Sequence, residues 1–466
     1  MSTTAVRRSL VCTTLLSSLV AGCAVGPNYA RPETAKPPQY RFIEDPVQAA
    51  TLADMPWWQV FDDPALQALI KDAIANNLDL RVAVARLEEA RARAGIAKSY
   101  LYPQVDGIAN YGLRASTGGD DDTDTTNQSG TYGFQMSWEL DLFGRLRRQQ
   151  EAAVAVALAT EQSRRGVMVT LVGDVATNYF LLRELDLQLE IARQTLRLND
   201  ETVTYFRNRL EGGVSNRLEL DRIQANRAET AATIPTIEQQ IAVVENAISL
   251  LLGRPPGPVV RDALVPGDQL PPPIPPGLPA SLLERRPDVV QAEQLLVAAN
   301  ADIGAAKALF YPNISLTGFL GGISGDLTTF LGGGGLAGSV GAGLLQPVFQ
   351  AGRLRRNLEV FQARYTAAVA EYQKAALNGY REVANSLVSI QKLAEVRVQR
   401  QVGVTALQDA SELSRARYDS GLASYIEILT ADEQLFQQQL LLAQVRGAEL
   451  RARAELYRAL GGGWQQ

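Results

Sequence analysis

The chain has 466 residues, enough for two or three domains with large buried cores. Its formal charge of −5 gives no basic footprint for nucleic acid, and it contains no histidine, which removes Ser-His and Cys-His nucleophile pairs and the commonest metal ligand. The two cysteines, Cys12 and Cys23, both lie near the N-terminus, so neither a disulfide framework nor a cysteine zinc cluster is on offer, and no metal site, cofactor or enzymatic activity is expected.

Residues 1–22 read as a signal peptide. Arg7 and Arg8 form the basic region, and Leu10 to Ala21 form an apolar stretch too short to span a bilayer as a helix. It ends in Leu19-Val20-Ala21-Gly22-Cys23, which resembles the bacterial lipobox, with Cys23 as the lipid attachment site. The plain alternative is an ordinary signal peptide that happens to contain Cys23. Ala24 after the cysteine resembles lipoproteins sorted to the outer membrane, so the expectation is an exported protein held by acyl chains. From Ala24 onward no apolar run approaches the roughly 20 residues of a transmembrane helix, so any membrane crossing must use strands.

Ala24 to roughly Trp58 is rich in proline and polar residues and reads as an extended arm, so residues 23–63 are expected to be a lipidated N-terminal arm and equatorial segment. Ala65 to Lys98 lacks Pro and Gly until Gly95 and predicts one helix, ended by Pro103. From Tyr132 to Leu142 every second residue is apolar, including Phe134, Met136, Trp138 and Leu140, while Gln135, Ser137, Glu139 and Asp141 lie between them. That period of two, with a looser alternation from Val105 to Leu113 and an acidic loop holding Asp120 to Asp122 and Asp124, predicts a β-hairpin over 104–143. A soluble edge hairpin is one reading. A transmembrane hairpin, apolar to lipid and polar to a lumen, is the other, and it fits the ~9–11 residues a membrane strand needs. In the second reading Glu139 and Asp141 face the lumen and favour cations.

No proline follows Gly144 until Pro235, which predicts a helix over 145–211, ~100 Å long at 1.5 Å per residue. Leu182, Leu185, Leu189, Ala192, Leu196, Asn199, Val203, Phe206 and Leu210 form a coiled-coil seam along it. Gly212-Gly213 breaks it, and 216–252 returns with Ile237, Ile241, Val244 and Ile248 in the same spacing; Pro235 predicts a kink or break there.

Gly144-Arg145-Leu146-Arg147-Arg148 recurs as Gly352-Arg353-Leu354-Arg355-Arg356, 208 residues on. Leu101-Tyr102-Pro103 returns as Phe310-Tyr311-Pro312, Arg209 with Gly213 and Glu219 as Arg417 with Gly421 and Glu427, and Leu252-Gly253 as Leu460-Gly461. This spacing exceeds the roughly 20–50 residues of solenoid repeats, so the chain is one duplicated half. Repeat 1 occupies 64–253. A proline-rich linker follows over 254–286. Repeat 2 occupies 287–461, with a hairpin over 313–350, a long helix over 354–419 and a return over 424–460, leaving a tail at 462–466. Gly333, Gly335 and Gly338 satisfy GxGxxG but fall in a hairpin loop, without the strand before and helix after that a dinucleotide site needs.

Four candidate membrane strands cannot close a barrel, and an open edge in lipid leaves backbone groups unpaired. The lipobox, the following Ala24-Val25-Gly26-Pro27-Asn28-Tyr29-Ala30-Arg31-Pro32, the duplicated half and the two turn motifs together resemble the outer-membrane efflux protein family, TolC-like channels of the OprM and NodT lipoprotein type. The resemblance implies an α+β membrane protein with two tandem structural repeats, four transmembrane strands and long coiled-coil helices per chain. It further implies a homotrimer whose 12-stranded β-barrel in the bacterial outer membrane is continued by an α-helical barrel into the periplasm. The implied partners are outer-membrane lipid, a periplasmic adaptor and an inner-membrane RND-type pump, and the implied role is the exit duct for drugs or other small toxic compounds. A type I protein secretion channel and a non-spanning periplasmic coiled-coil lipoprotein stay open as alternatives.

In the family, polar links and acidic rings at the helix turns close the tube. The matching positions are Tyr418, Glu219 and Glu427, beside the turn glycines Gly213 and Gly421. Ala423 and Thr430 stand where a gate arginine and a second acidic ring are common. Asn216-x-x-Glu219 and Ser424-x-x-Glu427 are also capping-box spacings, and one glutamate can serve both tasks.

Overall fold

A computed structural model describes residues 24–34, 63–116, 125–261, 286–333 and 335–462. The elements in order are α1 Pro64–Asn76, α2 Leu78–Ser99, β1 Gln104–Ser116, β2 Thr125–Leu140, α3 Arg145–Glu211 and α4 Arg217–Leu251, then α5 Pro287–Ala308, β3 Asn313–Ser324, α6 Leu327–Leu331, β4 Gly335–Leu345, α7 Arg353–Asp419 and α8 Tyr425–Ala459. The duplication is written in their lengths: α2 and α5 have 22 residues each, α3 and α7 have 67, and α4 and α8 have 35.

Two local expectations are corrected. The single helix placed over Ala65 to Lys98 is broken at Asn77, which ends α1 with its N–H on the Ala73 carbonyl and starts α2 by accepting from the Leu80 N–H at 2.8 Å. Its Nδ2 donates to the Leu251 carbonyl, a contact 174 positions away in sequence, so the break is fixed by packing as well as by capping. At Pro235 there is no break: α4 runs through it, because one missing N–H among 35 residues is offset by the burial of Ile237, Ile241, Val244 and Ile248.

The chain divides into two compact units. One comprises the described parts of Met1–Glu33, Arg86–Glu161 and Gln291–Gln373. Its centre is an antiparallel sheet in the order β1-β2-β3-β4, with β1 and β4 at the edges. Residues opposite each other across a ladder share a face. Val105, Met136, Gly318 and Val340 lie in one such row, as do Trp138, Leu316 and Ala342, and Leu140, Ile314 and Leu344. The rows between them hold Asp106 and Gln135 with Phe319 and Ser339, Ser137 and Thr317, and Glu139 with Ser315 and Gly343. One face is therefore apolar, and the other is mostly polar or small, with Phe319, Ile323 and Leu345 among its large apolar members. Trp138 keeps its polar end satisfied by donating from Nε1 to the Leu101 carbonyl at 3.0 Å.

Residues 24–33 lie against this unit without regular structure. Val25 donates to the Phe143 carbonyl at 3.1 Å, Asn28 accepts from Arg148, Asn300 donates to the Pro27 carbonyl, and Arg31 makes a bidentate pair with Glu293 at 2.7 and 2.6 Å. Beneath them Ala152 and Ala155 of α3 pack on Ala298 and Ala301 of α5, small side chains that let the two helices approach closely. Before β4 comes the short helix α6, and the glycine-rich motif from Gly333 runs into a strand, the reverse of a dinucleotide-binding order.

The other unit comprises the described parts of Thr34–Ala85, Gln162–Val290 and Lys374–Gln466. The α3 seam faces inward as its spacing requires: Leu182, Leu185, Ala192, Val203 and Phe206 are buried, and Leu189, Leu196, Asn199 and Leu210 are half-buried. Asn199, the polar member, donates to Thr230 Oγ1 of α4 at 3.0 Å. No helix among the described residues is long and apolar enough to cross a membrane.

Candidate functional site

The residues expected to form a gate come together where α3 turns into α4 and α7 into α8. Both turns are built on glycine. Gly213 and Gly421 each have φ of +71°, in the left-handed region. Val214 donates to the Arg209 carbonyl and Leu422 to the Arg417 carbonyl, both at 2.9 Å, while Gly213 and Gly421 donate to the Leu210 and Tyr418 carbonyls. Each is a Schellman stop, which ends a 67-residue helix abruptly.

Behind the turns lies a core drawn from all four helices: Val203 and Phe206 of α3, Leu220 and Ile223 of α4, and Tyr425 and Ile428 of α8, with Tyr418 of α7 packed on them. The Phe206 and Tyr425 rings are 4.3 Å apart, and Tyr418 meets Tyr425 edge-on at 5.7 Å. Burial raises the Tyr418 phenol above its ordinary pKa; the Arg209 cation opposes this and the Glu219 charge adds to it. The Tyr425 phenol is pushed up to about 12, by burial first and by Asp432 second. Both phenols therefore keep their protons at neutral pH.

Arg209 is the residue that sequence reasoning used only as a repeat marker. Its Nη1 donates to the Tyr205 hydroxyl at 2.9 Å, and its guanidinium carbon lies 5.5 and 5.8 Å from the Tyr205 and Tyr418 ring centres, within cation–π range. The available signal was the i, i+4 spacing of Tyr205 and Arg209 ahead of the double glycine.

The two glutamates part company. At Glu219 the cap is made: its N–H donates to Asn216 Oδ1 at 2.9 Å, and its carboxylate accepts the Ser215 hydroxyl at 2.7 Å. Ser424 makes no side-chain cap, and Glu427 instead pairs with Arg417 at 3.4 Å with both side chains about half exposed. Thr430 donates back to the Ile426 carbonyl within α8.

Of the acidic pair at the foot of the sheet, Asp141 departs from the strand position expected of it. Asp141 lies beyond the end of β2, and its two oxygens accept the Leu146 and Arg147 N–H groups at 3.0 and 2.9 Å, capping α3. Glu139 stays on the polar face but is held bidentate by Arg145 at 3.0 and 2.6 Å. Both carboxylates are thus neutralised across the sheet-to-helix turn rather than presented as free charge. Cys23, the expected lipid site, and the acidic loop at Asp120 to Asp124 lie outside the described residues.

The family model for outer membrane efflux protein matches residues 69–254 and 278–462, one segment for each repeat. The chain belongs to that family. The cation efflux system protein CusC of Escherichia coli O6:H1 is 34% identical over 450 residues, covering 96% of this chain and 97% of its own. The toluene efflux pump outer membrane protein TtgC of Pseudomonas putida is 34% identical over 476 residues, covering 98% and 96%. The solved structure of the outer-membrane channel OprN superposes with a TM-score of 0.86 at 31% identity, covering 95% of this chain and all of that one. The fold is the α+β, TolC-like one, and the protein is an outer-membrane efflux channel.

Proposed function

We propose that three copies assemble into the exit duct of a tripartite efflux system, receiving cargo from an inner-membrane RND-type pump through a periplasmic adaptor. The observation that carries this reading is the sheet: one apolar face, one mostly polar face, and edges at β1 and β4 left without partners among the described residues. In lipid such edges are untenable, and copies joined edge to edge remove them. Twelve strands from three chains suit an even-numbered antiparallel barrel with a polar lumen.

The internal repeat supplies a second support. In α5, a Cβ at Gly304 would meet the Arg148 side chain and the Val25 carbonyl at 2.9 and 2.8 Å. The same place in α2 is Gly95, with nothing within 4 Å. Val360 of α7, which matches the buried Ala152 of α3, is likewise exposed. A neighbouring copy laying its α7 on α2, as α3 lies on α5 within the chain, would cover both with Arg356 and Val360.

Lipidation at Cys23 would hold the N-terminal arm at the membrane, and Tyr418 with Glu219 would help keep the turns closed, with Glu427 contributing through Arg417. The cargo is a small toxic compound; relatives named for cation efflux and for toluene efflux are equally similar to this chain, so likeness alone does not choose between them.

The decisive experiment is the mass of the protein extracted from membranes. A trimer that requires detergent, reduced to monomer by Gly95→Leu, supports the assembly; a monomer soluble without detergent once Cys23 is replaced sinks it. For the gate, Tyr418→Phe with Glu219→Gln is expected to raise single-channel conductance, and unchanged conductance removes these residues from it.

A further inference from the structure

The two copies of Gly-Arg-Leu-Arg-Arg open equivalent helices in unequal electrostatic company. At the first, Glu139 holds Arg145, Asp141 holds Arg147 at 3.2 Å, and Arg148 pairs with Glu151 at 2.7 Å, so three arginines face three carboxylates. At the second, Arg356 keeps the last of these pairs, with Glu359 at 2.7 Å. The positions that match Glu139 and Asp141 are Pro347 and Phe349. Arg353, the counterpart of Arg145, donates from Nε and Nη2 to Gln350 Oε1, the Nε bond being 3.0 Å long. A neutral amide leaves the guanidinium charge whole, and among the described residues no carboxylate lies within ion-pair distance of it.

Where that charge sits follows from the cavity it lines. Arg353 and Gln350 border one cavity together with Glu139, Arg145, Asn313 and Pro347. Glu139 belongs to the polar face of the sheet, in register with Ser315 and Gly343. Arg353 therefore stands at the foot of the sheet, lining the same cavity as Glu139, and that acid is already spent on Arg145.

We propose that Arg353 is a charge-selecting residue of the channel, one per copy forming a ring of positive charge at the foot of the barrel lumen that favours anions and cargo bearing phosphate, sulfonate or carboxylate groups. This rests on the reading of the polar face as a lumen closed by three copies. It reverses the cation preference that the bare sequence of Glu139 and Asp141 suggests, because those acids are neutralised in place and the second repeat has lost them. Fixed charge lining a pore sets the sign of the ions it passes.

The test is the reversal potential of the full-length protein in planar bilayers across a potassium chloride gradient. The native channel is expected to reverse on the chloride-selective side. Arg353→Gln should shift it toward potassium, and Arg353→Lys should keep it. Gln350→Glu leaves Arg353 in place and rebuilds the pairing of the first repeat, so it should shift the potential in the same direction as Arg353→Gln, with little risk to folding. Conducting channels whose reversal potential is unmoved by both Arg353→Gln and Gln350→Glu overturn the proposal. Protein that is trimeric yet gives no conductance, or that is not trimeric at all, sinks the channel reading instead and this inference with it.

Discussion

The turn that ends α3 and the turn that ends α7 have one backbone and two sets of side-chain contacts. Glycine at φ +71° and the same pair of helix-closing hydrogen bonds appear in both. Yet Asn216 caps the helix after the first turn while Ser424 leaves the second uncapped by any side chain, and Arg209 lies against tyrosines while Arg417 pairs with Glu427. The junctions at Arg145 and Arg353 repeat this pattern: the same helix start, with the acids Glu139 and Asp141 ahead of one and Pro347 and Phe349 in their places ahead of the other. Backbone geometry at a turn is fixed by one residue that tolerates positive φ, so it survives duplication unchanged. Side-chain partners can be exchanged one at a time without moving the helices, and that is where the two halves have diverged.

Substitutions can break or sharpen this likeness. The largest effect is expected at the shared core behind the turns, where Phe206 is 1% exposed. Phe206→Ala should lower the stability of both turns by about 3–5 kcal/mol, because both repeats pack on that ring. Hydrogen exchange of peptides covering 200–225 and 415–432 reads this; protection lost from only one of them would mean that the turns are independent. Next, Gly213→Ala and Gly421→Ala should cost about the same, roughly 1–2 kcal/mol each, since the left-handed conformation alone is at issue and a Cβ at either meets nothing within 4 Å. Unequal losses of protection at the two turns would contradict the backbone equivalence. The smallest effect separates the halves: Asn216→Ala should cost about 1 kcal/mol at the start of α4, whereas Ser424→Ala should leave the start of α8 unchanged, again by exchange rates. Equal effects would mean that Ser424 makes a cap after all.

Much of the architecture could be read from the residues themselves. The long helices stop at Gly212-Gly213 and Ser420-Gly421 because glycine there accepts a conformation other residues resist, and the period of two over Tyr132 to Leu140 becomes two faces of a sheet as soon as the strands pair. The break at Asn77 was hidden among good helix formers, since an asparagine commits to capping only when packing supplies its second partner, here the Leu251 carbonyl. Arg209 was hidden for a related reason: Tyr418, one of the two rings it lies against, belongs to the other repeat, more than 200 positions away.

By itself the sequence determined the duplication, the extents of the long helices and the two-faced strands, because these follow from local backbone preferences and from spacing along one chain. Only the tertiary structure decided what each charge does: that Glu139 and Asp141 are bound to arginines and a helix start, that Glu219 caps while Glu427 forms an ion pair, and that Arg353 bonds to the amide of Gln350. A hydrogen bond or ion pair depends on two groups meeting within about 3–4 Å, and that distance is set by turns and packing between segments, which composition and periodicity do not encode.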